Sequence, residues 1–470
     1  MKVLLCDMPV SDEDKFGSLK QAGSSSPPLN LLFLGSALKK SGHEVKITLD
    51  DASWPQVAET IKSFEPGIIG VTFMTIGSAS LPKFVELVRL AAPKSILIAG
   101  GYHSTLYPRE VLDAGNITAV FRGEAENNLP KFIEMCVNGP PDCNELKTIP
   151  GIAYLDHGEM IDTGPAEIVS DLDTLPFPDY SLIPSFFEKF HGSINRHYLP
   201  NPQAFLLTSR GCPFSCHFCG RQILGQRVRS NSADYILDLL EFLKKKYFIK
   251  SAIYADEFFT LDKRRTEYFC NELRTKGLNK ISWSCSGRTN NMTQDMATTL
   301  KQGGCKQISY GIESGSPAIL KMLNKKSTLT DNANAVLFAH RAGLETYGSI
   351  ILGSPGETRD TLKETRDFVL NYPLSFIGLL FFTPLPGSYF YENARYKQYG
   401  EIIDTDLTHY NCFDGLPFVA TGLSAEFLRA FRTKLYKDFY LRPKRLIREL
   451  KYFGNWNSWK TMFRLIKSSF

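Results

Sequence analysis

The chain has 470 residues, too many for one ordinary hydrophobic core, so two or three domains are expected. Hydrophobic residues make up 43% and charged residues 22%, with a formal net charge of +5, the balance of an ordinary globular protein. No run of 18 apolar residues occurs, which excludes a membrane-spanning helix on this reading.

The N-terminus, "MKVLLCDMPVSDEDKF", reads as a short strand followed by acidic residues, without a signal peptide's long apolar region. The expected location is cytoplasmic, where thiols stay reduced. Strand and helix then alternate: "KVLLCDM", "LLFLGSALKKSG", "EVKITLD", "PQVAETIKSF", "GIIGVTFM", "LPKFVELVRLAA", "KSILIAGG" and "AVFRGE". The nearly all-apolar "GIIGVTFM" suits a central parallel strand. Residues 1–140 are therefore expected to form a doubly wound α/β domain, which binds ligands beyond the carboxyl ends of its strands. The loops there, 72–80, 100–105 and 122–126, are small, polar or glycine-rich. No G-x-G-x-x-G follows the first strand, so the usual dinucleotide fingerprint is missing.

Residues 141–202 read as a connector, with a hairpin turning at His157-Gly158 and a proline-rich stretch, "DLDTLPFPDYSLIP". From 203 to 390 a second series begins, with strands "AFLLTS", "KSAIYADE", "ISWSCSG", "KQISYGIES", "TYGSIILG" and "FIGLLFF". Six β/α units in a row predict a partial barrel, whose chemistry sits at the carboxyl ends of its strands. Residues 391–470 are expected to be mainly helical, aromatic and basic. Residues 432–467 carry 11 Lys and Arg against 2 Asp and Glu.

"RGCPFSCHFCGR" follows the first barrel strand and spaces Cys212, Cys216 and Cys219 as C-x3-C-x2-C. Thiolates suit zinc and iron–sulfur clusters. A structural zinc site normally closes with four ligands, and the fourth would have to be His217, which would strain the loop, or a distant residue. A cubane held by three cysteines keeps one iron open, as a catalytic cluster needs. The other seven cysteines, Cys6, Cys136, Cys143, Cys270, Cys285, Cys305 and Cys412, read as small buried hydrophobes.

The spacing in "CPFSCHFC" resembles the signature of the radical S-adenosylmethionine (SAM) superfamily. The resemblance continues through "YADEFF" (254–259), "SGRTNN" (286–291), "GIESGS" (311–316) and "ILGSPGET" (351–358), each at a strand end and in the family's order. It implies a [4Fe–4S] cluster on Cys212, Cys216 and Cys219, with SAM on the open iron. It implies Glu313 on the ribose hydroxyls, Arg288 on the SAM carboxylate, Asp256 or Glu257 on its ammonium, and Gly353 and Pro355 beside the adenine. The residues also permit plainer readings: Arg288 in a surface salt bridge, Asp256 as the cap of the next helix, Gly353 to Gly356 as a turn.

The first 137 residues resemble the cobalamin-binding domain fused to one branch of that superfamily. "PPLNLLFLGSALKKSGHEV", "GIIGVTFMT", "GGYHST" and "RGEAE" carry the likeness. The classical D-x-H-x-x-G motif is absent, as it commonly is in the fused branch, and this implies base-off cobalamin without a histidine ligand. Candidate binding residues are Thr72, Thr75, Ser78, Gly100, Gly101, His103, Gly123 and Glu124. His103 reads equally as facing the corrin or a substituent of it, or as hydrogen-bonded to a backbone carbonyl.

The resemblance implies a radical enzyme that draws hydrogen from an unactivated carbon and methylates it from methylcobalamin. The rival in the same architecture is a cyclase, ring-contracting or rearranging enzyme acting on a porphyrin, lipid or natural product. The expected partners are a small, hydrophobic substrate and an electron donor such as flavodoxin or ferredoxin. Nucleic acid is not expected. The tail, with Trp456, Trp459, Phe463 and Ile466 among its cations, reads either as a membrane-surface segment or as a helix on the barrel.

Overall fold

A computed structural model describes residues 1–17, 26–189, 199–220, 225–443 and 445. Two compact units are present, one built on residues 1–186 and one on the remainder, to which residues 16 and 17 also belong.

The first unit is a seven-stranded sheet in the order β2-β1-β3-β4-β5-β6-β7. Its strands are β1 (Lys2–Asp7), β2 (Glu44–Thr48), β3 (Ile68–Thr72), β4 (Ile96–Gly100), β5 (Ala119–Phe121), β6 (Ile152–Asp156) and β7 (Glu159–Asp162). The first five pair in parallel, and β6 and β7 run antiparallel at the edge. Side chains alternate across a strand, and the sheet accordingly has a core on each face. Leu4, Cys6, Ile69, Val71, Leu97 and Ala99 pack with the helices Trp54–Phe64 and Leu81–Ala91. Val3, Leu5, Ile68, Ile96 and Ile98 pack with the helices Leu29–Lys40 and Asn128–Met135. Burying each such aliphatic side chain stabilises by about 1.5–3 kcal/mol, which is why β3, buried at all its positions, lies inside the sheet.

The hairpin at His157-Gly158 forms as expected, but it extends the N-terminal sheet instead of standing in a connector. Val120 and Phe121 of β5 pair with Ala153 and Ile152, so the hairpin covers what would otherwise be an open edge. The proline-rich stretch stays with the same unit. Ser36 donates to the Phe177 carbonyl at 2.7 Å, and Lys39 pairs with Asp179 at 2.5 Å.

The second unit holds six parallel strands in sequential order: β8 (Gln203–Leu206), β11 (Ser251–Tyr254), β12 (Ser282–Gly287), β13 (Cys305–Glu313), β14 (Glu345–Leu352) and β15 (Phe376–Phe381). A small antiparallel pair, β9 (Ser209–Arg210) with β10 (Arg229–Ser230), falls between the first two in the chain and forms a separate sheet. Sequential order means every crossover steps the same way, as in a β/α barrel. The sheet has two ends, so the barrel is partial. At the β15 end the outward amides are taken by other groups. Leu379 N–H donates to the Tyr436 hydroxyl at 2.9 Å, Ile377 N–H to the Tyr440 hydroxyl at 3.2 Å, and Phe381 N–H to the Cys412 carbonyl at 3.0 Å. Both tyrosines belong to the helix Ala425–Tyr440, where a spacing of four residues puts them on one face. This C-terminal region also carries a strand pair, β16 (Gly400–Ile402) with β17 (Phe418–Ala420), which the sequence reading did not anticipate. The aromatic and basic segment from 446 onward lies outside the described residues.

Candidate active site

The three cysteines lie on the excursion between β9 and β10, at the carboxyl end of β8. Gly211 opens it with φ +93°, and a Cβ there would stand 2.3 Å from the Arg227 carbonyl oxygen, so the chain needs glycine. Cys212 N–H donates to the Gly225 carbonyl at 3.1 Å. His217 fixes the loop from within. Its N–H donates to the Leu323 carbonyl at 3.0 Å, its Nδ1 to the Met322 carbonyl at 3.2 Å, and its ring stacks on Tyr389 at 4.1 Å. Phe390 N–H returns a bond to the His217 carbonyl at 3.0 Å, and Asn324 Nδ2 reaches the Ser215 carbonyl at 2.8 Å. Burial lowers the His217 pKa, consistent with a neutral ring whose Nδ1 carries the proton. His217 is therefore a strut of the loop. Among the described residues no three Cys, His, Asp or Glu side chains converge as ligands of one ion do; the ligands of a cubane bind separate irons.

Arg288 follows β12 and is 2% exposed, which removes the surface salt-bridge reading. Its Nη1 donates to Cys216 Sγ at 3.8 Å, and its guanidinium lies 3.7 Å above the Phe214 ring. Nε and Nη2 are buried and have no hydrogen-bond partner among the described residues. A buried unpaired donor costs about 1–3 kcal/mol, more if charged, so these nitrogens fit a site that takes an anion. The donor set thus suits a thiolate-bound cluster with a carboxylate-bearing ligand beside it.

Glu313 ends β13 in the left-handed region, φ +60°, where the β13–β14 register shifts. Such strain in a non-glycine residue clusters at functional sites. Its Oε1 pairs with Lys325 Nζ at 2.6 Å, with both side chains under 10% exposed. Lys325 Nζ also stands 5.9 Å from the ring of Phe218, the aromatic residue before Cys219. A Cβ on Gly311 would sit 2.2 Å from Glu313 Oε1, so the glycine of "GIES" makes room for this pair.

Asp256 is engaged within the protein. It accepts from Thr208 N–H (2.7 Å), the Thr208 hydroxyl (2.7 Å) and the Ser209 hydroxyl (2.9 Å), stapling the segment that follows β8 to the one that follows β11. Burial raises its pKa, while Arg265 and these donors oppose the rise. The following helix is capped instead by Asp262, which accepts from Arg265 N–H at 3.0 Å. Glu257 is half-buried. Gly353 takes φ +78°, and its N–H, with that of Ser354, donates to Glu357 Oε2 at 2.5 and 3.0 Å. The "GSPG" stretch with Pro355 is thus a turn closed by a buried carboxyl, and burial pushes the Glu357 pKa up to about 8.

In the first unit the carboxyl ends of β1, β3 and β4 bring Asp7, Thr72 and Gly100 together, with Thr72 in register with both. Asn30 Nδ2 donates to Thr72 Oγ1 at 3.3 Å. Gly101, φ +92°, passes so close that a Cβ would lie 2.2 Å from that oxygen. His103 is the correction. It is 0% exposed, sandwiched between Phe73 and Tyr107, with Nδ1 on the Thr75 hydroxyl at 3.4 Å and Nε2 on Glu110 at 3.3 Å. Burial lowers its pKa, and the ring faces the interior, so it braces Thr75 and presents no nitrogen to a ligand. Ser78 and Gly100 are half-buried. Gly123, exposed with φ +83°, donates to Thr105 Oγ1 at 3.1 Å, and Glu124 accepts from Val169 N–H at 3.1 Å. The Ser104 hydroxyl is buried without a partner among the described residues, and Met74 is 57% exposed in the loop after β3. A polar orphan and an exposed apolar side chain at this edge fit a large ligand such as a corrin.

Sequence reasoning missed Lys325, Glu357 and Asp7, whose pKa burial and Asp50 push up to about 7 against Lys15. Glu357 stood inside a quoted motif, whereas nothing local marked Lys325 as buried.

A three-cysteine loop on a partial β/α barrel, preceded in the chain by a doubly wound domain, defines a radical SAM enzyme with a B12-binding domain. The radical SAM superfamily model matches residues 206–369, and the B12-binding domain model matches residues 19–133. An uncharacterized methyltransferase of Pyrococcus horikoshii is 31% identical over 96% of this chain and 95% of its own. The anaerobic magnesium-protoporphyrin IX monomethyl ester cyclase of Cereibacter sphaeroides is 26% identical over 81% of this chain and 62% of its own. The solved cobalamin-dependent SAM radical enzyme OxsB, with aqua-cobalamin and SAM bound, superposes with a TM-score of 0.76 at 18% identity, covering 99% of this chain and 70% of that one. At that identity the likeness is one of fold. The chain belongs to the cobalamin-dependent radical SAM family, which carries a [4Fe–4S] cluster, SAM and cobalamin. Among the described residues no helix is long and apolar enough to cross a membrane.

Proposed function

We propose that the protein is a C-methyltransferase acting at an unactivated carbon of a small, hydrophobic substrate. The full-length likeness to a methyltransferase carries this reading. When bound, the reduced cluster supplies the electron that cleaves SAM, and cobalamin supplies the methyl group. Cys212, Cys216 and Cys219 hold the cluster, with His217 bracing their loop. The Nε–Nη2 edge of Arg288 takes the SAM carboxylate as a planar fork. Glu313, set by Lys325, takes the ribose hydroxyls. Asp256 or Glu257 takes the ammonium; Asp256 also accepts three hydrogen bonds within the protein. Gly353 and Pro355 offer backbone to the adenine.

Cobalamin is held by Thr72, Thr75, Ser78, Gly100, Gly101, Gly123 and Glu124, base-off and without a histidine ligand, His103 being turned inward. An electron donor such as flavodoxin or ferredoxin reduces the cluster. The cyclase relatives favour a second reading, cyclisation or rearrangement without methyl transfer. Turnover with methyl-labelled SAM separates the two. A methylase yields 5′-deoxyadenosine and S-adenosylhomocysteine in near-equal amounts and a labelled product. If 5′-deoxyadenosine accumulates with product while S-adenosylhomocysteine stays at background, the methylase reading fails and the cyclase reading replaces it.

A further inference from the structure

Arg288 meets two chemistries at once. One nitrogen, Nη1, lies 3.8 Å from Cys216 Sγ, while Nε and Nη2 on the side-on edge have no partner among the described residues. The side chain is held flat by Phe214, a residue of the cysteine loop itself, with the guanidinium 3.7 Å from the ring centroid. Phe214 leans in turn on Phe258 at 5.1 Å, and Phe258 is 6.0 Å from the guanidinium. Cys216 is also the most enclosed of the three thiols, 8% exposed where the other two are half-buried. A role confined to a carboxylate would not need Nη1 on the thiolate, nor a ring from the same loop to keep it there.

We propose that Arg288 is a positioning residue for the cluster as well as a SAM contact. Its Nη1 donates to the Cys216 thiolate, and its charge lies against that sulfur in SAM-free protein, raising the cluster's reduction potential. Reduction adds negative charge to a cluster, and hydrogen bonds to its sulfurs stabilise the reduced state and raise the potential. Phe214 is the clamp that maintains the contact. A guanidinium suits both duties, because a donor on one side leaves the Nε–Nη2 fork free on the other. The proposal rests on the reading of Cys212, Cys216 and Cys219 as cluster ligands.

The test is a reductive titration of reconstituted, SAM-free full-length protein, followed by electron paramagnetic resonance, with iron content measured in parallel. Arg288→Met is expected to shift the potential negative at unchanged iron content. Arg288→Lys, which restores a charge and a donor, is expected to fall between it and wild type. Phe214→Leu, which keeps the guanidinium but releases it, is expected to shift in the same direction by less. An unchanged potential in Arg288→Met together with weakened SAM binding overturns the proposal and leaves Arg288 to the carboxylate alone. If Arg288→Met holds no iron, Phe214→Leu decides: a negative shift supports the proposal and an unchanged potential overturns it. Wild-type protein that takes up no cluster sinks the underlying reading instead, before any variant is compared.

Discussion

A carboxyl group closed off from water and accepting two backbone N–H bonds, as Glu357 does, makes the fold sensitive to pH. Its pKa rises from 4.5 to about 8, so between these values the native state holds a proton that the unfolded chain releases. Its contribution to stability is therefore greatest below about pH 4.5 and is lost as the pH rises through 8, with each tenfold change in proton affinity worth about 1.4 kcal/mol. Glu357→Gln keeps an acceptor for Gly353 and Ser354 and cannot ionise. Denaturant unfolding of the variant at about pH 5 and about pH 8.5, on either side of the folded-state value, should show a smaller loss of stability than wild type; an equal loss in both would assign the pH dependence elsewhere. The cysteines divide in the same residue-by-residue way. Cys212→Ala, Cys216→Ala or Cys219→Ala should abolish SAM cleavage and leave the protein folded, whereas Cys270→Ala, at a buried thiol pushed up in pKa, or Cys305→Ala, at the buried first residue of β13, should retain iron. Full iron content and activity in Cys216→Ala would falsify the cluster assignment.

At the scale of elements, the edge of β15 is finished by side chains. Tyr436→Phe keeps the ring and removes the acceptor of Leu379 N–H, and the unpaired amide should cost about 1–3 kcal/mol. A thermal melt checks the value, and no change in melting temperature would mean that water replaces the hydroxyl. The barrel strands were legible beforehand because each is a short run between helical segments and the first five lead into a motif, a purely local signal. The hairpin β6–β7 was legible as a hairpin but not as part of the sheet, because its partner, Val120-Phe121, lies some thirty residues earlier and pairing leaves no local trace. Arg288 and Lys325 were visible as charges, and residue type alone favours exposure. Their burial depends on Phe214, Phe218 and Glu313 arriving from other strand ends. His103 drew attention for its loop position, yet the aromatic rings of Phe73 and Tyr107 decide its direction.

For the molecule as a whole, cobalamin chemistry and membrane contact can be tested without knowing the substrate. Cobalamin-loaded protein in the Co(II) state should give a base-off electron paramagnetic resonance spectrum without the nitrogen splitting of an axial imidazole. Such splitting, or no binding, would remove the histidine-free reading. Deleting 452–470 should weaken co-sedimentation with anionic liposomes if the basic, aromatic tail lies on a membrane surface. Unchanged binding, or none by the intact protein, argues against that role. The strut through His217 has a consequence for how the enzyme is made. Its stacking partner Tyr389, and Phe390, whose amide closes on the His217 carbonyl, lie about 170 residues after the cysteines. At a synthesis rate of about 5–20 residues per second, the ribosome needs roughly ten to thirty seconds to reach them. Through that interval the loop lacks the aromatic part of its brace, although Met322, Leu323 and Asn324 are made earlier, and a nascent chain halted before Tyr389 should take up iron poorly. Better iron uptake by chains that extend past Tyr389 than by chains halted before it would make cluster insertion a late step in the life of this polypeptide.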